Sequence, residues 1–134
     1  MKTETHLYAS LSQNLAKLFY AIAASDGHVQ QVEIDALKTF INNEWPKPNN
    51  NSKPYETIKK QIEKSFDALI SKEDHDPNHY FNDFITYKKN NTNLFSEDII
   101  NLILKTASAI ANSFSSLNKS ELIMLAKLEI ELKK

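Results

Sequence analysis

Apolar residues recur along this chain at three- and four-residue steps, and strict alternation is rare. Leu7, Leu11, Leu15, Leu18, Phe19 and Ile22 form one stripe, which predicts a helix from about Leu7 to Ala24. Ser25-Asp26-Gly27 stops it, because glycine tolerates the left-handed backbone that ends a helix. A second helix is predicted over Gln31–Glu44, with Leu37, Phe40 and Ile41 inward, and Pro46 and Pro48 end it. A third follows Pro54, carrying Tyr55, Ile58, Ile62, Phe66 and Leu69, and Lys72 to His75 forms a turn.

Asp76-Pro77 reads as a cap followed by the first helical position. The fourth helix then holds Tyr80, Phe81, Phe84, Ile85 and Tyr87, and Asn90 to Asn93 breaks it. Ser96 is a cap for a fifth helix, with Glu97 and Asp98 placed well against its dipole. That helix buries Ile99, Ile103, Leu104, Ala107, Ile110 and Ala111. A sixth begins near Asn118 and runs to about Leu132. The expected fold is all-α: a compact, antiparallel bundle of about six helices.

Length and composition narrow this picture. The 134 residues, 41% of them hydrophobic, suit a single domain spanning 1–134 with one core. All 16 basic residues are lysine, and the net charge is −1. Without arginine forks or a basic face, nucleic acid is not an expected partner. The absence of cysteine removes disulfides, thiol catalysis and thiolate metal sites. The polar start Met1-Lys2-Thr3-Glu4 lacks the apolar run of a signal peptide. The stretch Ile99 to Ala111 is too short and too polar to span a bilayer. The expected location is cytoplasmic.

The chain contains an internal echo. Ile22-Ala23-Ala24-Ser25 and Glu33 lie, without a gap, on Ile110-Ala111-Asn112-Ser113 and Glu121; Leu37 then falls on Leu125. Both stretches read as helix, tight turn, helix. This predicts an old duplication, with hairpins Leu15 to Ile41 and Ile103 to Leu128 superposing and facing each other across a pseudo-twofold axis.

The run Phe19-Tyr20-Ala21-Ile22-Ala23-Ala24-Ser25-Asp26-Gly27-His28-Val29, followed by Glu33, resembles the first hairpin of the tellurite-resistance TerB-like family. That superfamily also takes in the N-terminal domain of the DnaJ-like co-chaperone DjlA. The echo around Ser113 to Glu121 resembles the family's second hairpin. The resemblance implies an all-α fold of two related halves and acidic positions proposed to hold a divalent metal ion. It also implies roles in stress-response or membrane-associated assemblies, and no enzyme. Carried onto this chain, the metal positions are Asp26, Glu33 and Glu121. The second hairpin departs from the pattern, because Phe114-Ser115 replaces Asp-Gly.

Two readings of this turn stay open. With oxygen donors only, the ion would be calcium or magnesium, weakly held. Alternatively, Asp26 orders the turn and Glu33 folds back onto its own helix start as the return arm of a cap. Asn118-Lys119-Ser120-Glu121 has the same cap-and-return pattern.

Other residues invite weaker readings. His75, Asp76, His79 and Asp83 have the residue types of a zinc site, but the helix start at Pro77 puts His75 off the helical face. Tyr80, Phe81, Phe84, Tyr87 and Phe95 read as core before groove. Lys59-Lys60 and Lys88-Lys89 read as solvated faces. No nucleophile motif or glycine-rich phosphate loop is present. The expected function is a non-enzymatic binding or adaptor module with a protein partner. The alternatives are a metal-dependent enzyme using the same acidic turn and a purely structural oligomer.

Overall fold

The computed structural model describes residues 4–25, 29–45, 53–72, 76–113 and 119–134. Six α-helices account for nearly all of them: α1 (Glu4–Ala23), α2 (Gln31–Glu44), α3 (Lys53–Ser71), α4 (Pro77–Asn90), α5 (Glu97–Asn112) and α6 (Lys119–Leu132). No strand occurs among the described residues. The expected break after α4 holds one 3-10 turn, Thr92–Leu94.

The starts of α4 and α5 follow from their caps. The Asp76 carboxylate accepts from the Asn78 amide at 3.0 Å, with Pro77 at the first helical position. The Ser96 hydroxyl accepts from the Ile99 amide at 3.3 Å. Each satisfies one of the amides that a helix start leaves without an internal partner.

The bundle is organised around α1. Leu15, Ala16, Leu18, Phe19, Ala21, Ile22 and Ala23 are all fully buried, so the second half of this helix is enclosed on every side, whereas Gln13 in the first half is exposed. It packs on α3, α4 and α5 and touches α2 and α6; α2 and α6 in turn lie on α5. Buried apolar residues from all six helices form one connected core. Rings knit it together. Tyr20 meets Phe66 of α3 and Tyr80 of α4 edge-on, at centroid distances of 6.2 and 5.8 Å. Phe95, just after the 3-10 turn, packs edge-on against Phe84 and Tyr87 of α4.

Trp45 at the end of α2 lies outside the predicted apolar stripe of that helix, yet it is fully buried. Its indole N–H donates to the Thr106 hydroxyl at 3.0 Å, and that hydroxyl donates to the Leu102 carbonyl at 2.6 Å. This chain ties the last turn of α2 to the middle of α5. A buried indole N–H needs such an acceptor.

The echoed stretches share local geometry. The Ser25 hydroxyl donates to the Ile22 carbonyl at 3.0 Å, and the Ser113 hydroxyl donates to the Ile110 carbonyl at 2.7 Å. Leu15, Phe19, Ile22 and Ala23 are fully buried, as are their counterparts Ile103, Ala107, Ile110 and Ala111. α2 and α6 are each 14 residues long and begin at equivalent positions. The correspondence fades beyond Leu37, which is fully buried where Leu125 is only partly so.

Candidate functional site

Of the three acidic positions, Asp26 lies outside the described residues. Glu33 and Glu121 occupy the third positions of α2 and α6, and each is 1% exposed. Burying a carboxylate is costly unless its oxygens are used. Glu33 uses one in the return half of a capping box: its Oε1 accepts from the Gln30 amide at 2.7 Å. The positive end of the α2 dipole favours the charge there. The geometry therefore gives Glu33 a structural role at its own helix start.

The zinc-like set is spread over other tasks. Asp76 caps α4, and the Asp83 carboxylate receives Lys17 of α1 at 3.3 Å and His79 at 3.5 Å. His75 lies outside the described residues. Among the described residues no three His, Asp or Glu side chains gather as metal donors. The five aromatics of α4 and the following turn belong to the core or pack against it, as their spacing predicts.

One expectation is corrected. Lys88 does not lie on a solvated face: it is 6% exposed, and its ammonium donates to the Glu131 carbonyl in the last turn of α6 at 3.1 Å. A lysine stem can run through apolar surroundings and deliver its charge at the far end. Here it reaches the negative end of a helix dipole. Lys89, its neighbour, is exposed.

Three of the four exposed large hydrophobic residues among the described residues lie along α6, outside the candidate sites expected from the sequence. Leu122, Ile123 and Ile130 are 49%, 48% and 61% exposed. The available signal was the run Leu122-Ile123-Met124-Leu125. Four consecutive apolar residues cannot share one face of a helix, so some must point away from the core. On one side of α6, Leu122 and Leu125 line a shallow apolar groove of about 660 Å³ with Phe40 of α2 and Leu104 of α5. On the other side, two adjoining depressions of about 380 Å³ each run between α6 and α4. Ile123 lines the first and Ile130 the second, and Phe81, Asn82 and Lys127 are common to both.

Among the described residues no helix is long and apolar enough to cross a membrane. No protein-family model matches the chain, and comparison with curated proteins and with solved structures finds no match either.

Proposed function

We propose that this chain is a non-enzymatic, TerB-like binding module that engages a protein partner through α6. One observation carries the reading: α6 keeps Met124, Leu128 and Leu132 for the core and still presents Leu122, Ile123 and Ile130 outward. Exposed apolar side chains contribute little to folding, and grouped along one helix between two grooves they mark an interaction surface. The TerB-like part rests on the residue pattern from Phe19 to Glu33. The shared serine bonds and the matched starts of α2 and α6 support the duplicated hairpin which that family would bring. The contacts of α1 with α6 and of α2 with α5 are those that exchange of two hairpins about a twofold axis would pair.

Size measurements test the reading. The purified chain should elute as a 15.4 kDa monomer. In extract of its native cell it should elute in a larger complex containing a second kind of chain. Leu122→Glu combined with Ile130→Glu should return it to monomer size. A purified chain that is itself oligomeric would favour the purely structural alternative. A monomer in both settings would defeat the binding reading.

A further inference from the structure

The groove between α4 and α6 has a shape and a charge that select one class of occupant. α4 and α6 run in the same direction along it: Asn78 and Ser120 stand at one end, Lys89 and Glu131 at the other. Both helices pack on α1, and the Lys88 bond to the Glu131 carbonyl joins them at the far end. Phe81 and Ile85, both buried, form the floor, and Ile123 and Ile130 rise beside it, 48% and 61% exposed.

Ile123 and Ile130 are two helical turns apart, about 10.5 Å along the axis. Each marks one depression. An amphipathic helix repeats its apolar stripe at the same seven-residue interval, so two of its apolar residues can fill both depressions at once. Lys127 sits between the two, and Lys89 stands at the Ile130 end. Neither lysine makes an ion pair among the described residues, whereas Glu131, the carboxylate lining this groove, already pairs with Lys134 at 3.1 Å. Lys127 and Lys89 thus stand along the groove with no ion pair among the described residues, above a floor that Phe81 and Ile85 make apolar and that Asn78, Asn82 and Ser120 edge with polar groups.

We infer that the α4–α6 groove binds an acidic amphipathic helix of the partner protein, with two apolar residues seven apart in the two depressions and a carboxylate between them on Lys127. The inference rests on the binding-module reading and assigns the partner's chemistry and the side of α6 that receives it.

The test uses the full chain and two fluorescent three-turn helical peptides. Both have leucines at positions i, i+4 and i+7; one carries glutamates on the flanks and the other lysines. The acidic peptide should bind and the basic one should not. Lys89→Glu with Lys127→Glu should weaken the acidic peptide at least about tenfold and admit the basic one, because charge sets partner choice at such a rim. Ile130→Glu should abolish binding, and Leu122→Glu, on the opposite side of α6, should leave it unchanged. Circular dichroism of each variant verifies that the fold is kept. Equal binding of both peptides, or loss on Leu122→Glu instead of Ile130→Glu, would overturn the assignment. So would Ile130-dependent binding of phosphatidylserine vesicles without binding of the acidic peptide. If the native complex is lost on Leu122→Glu alone, α6 is still a docking helix but the occupied groove is the other one.

Discussion

Ser25 and Ser113 stand eighty-eight positions apart and make the same hydrogen bond, each hydroxyl donating to the carbonyl of an isoleucine three residues before it. α2 and α6 start and stop at that same offset. The pairing extends to Glu33 and Glu121, both buried at the third position of their helices. What the two hairpins do not share is equally informative. α2 sends Leu37 and Ile41 fully into the core, whereas α6 leaves Ile130 exposed near its end. α2 leaves Val32 exposed near its start, whereas the exposed apolar residues of α6, Leu122, Ile123 and Ile130, reach from its first turn almost to its last.

Glu33 is expected to behave as a cap. Glu33→Ala removes the acceptor of the Gln30 amide and should cost about 1–2 kcal/mol in urea denaturation. Glu33→Gln should cost less, since an amide oxygen still accepts. Titration calorimetry with millimolar calcium or magnesium should give no heat that the Gln variant abolishes. Such a heat would establish the ion site.

Trp45 and Thr106 give a sharper contrast. Thr106→Val keeps the shape and removes the acceptor for the buried indole, and should destabilise the chain by about 1–3 kcal/mol. Trp45→Ala should cost about 3–5 kcal/mol, because a cavity opens as well. Denaturation midpoints compare them, and a neutral Thr106→Val would show that the bond between α2 and α5 contributes little.

Lys88→Met should keep the packing of the lysine stem and lose the bond to the Glu131 carbonyl. The last turn of α6 should then exchange its amide hydrogens faster, while the centre of α1 stays protected. Unchanged exchange in that turn would mean that the end of α6 is held by its apolar contacts alone.

Burial raises the Tyr20 phenol above its ordinary value of 10.0, and the neighbouring Tyr80 adds to the shift. Below pH 10 both folded and unfolded phenols are neutral and the group is silent. Above it the unfolded chain releases the proton and the folded chain resists, so stability falls as pH rises. Tyr20→Phe should show a shallower loss between pH 9 and 11 than the parent chain. Parallel slopes would remove Tyr20 from the alkaline transition.

The helices were legible in the sequence where local rules decide. Gln31–Glu44 lies between Gly27 and Pro46 in the sequence. Asp76 and Ser96 are caps whose function depends on residues two or three away. The rest depended on neighbours distant in sequence. Lys88 looks solvated beside Lys89, and only the arrival of the end of α6 makes its position an interior one. Trp45 finds its acceptor in another helix. The grooves beside α6 exist because α2, α4 and α5 approach it from different parts of the chain, although the apolar excess at Leu122 to Leu125 was visible all along. Asp26, the residue that resemblance made most prominent, lies outside the described residues.

In-cell photo-crosslinking tests the central claim, that α6 is a protein-docking helix, most directly. A photoreactive residue at Ile123, Ile130 or Leu122 is compared with one at exposed Lys60 on α3. The account predicts one discrete adduct with a different protein from Ile123 and Ile130, and none from Leu122 or Lys60. No adduct from any α6 position, or an adduct with a second copy of this chain alone, would contradict it.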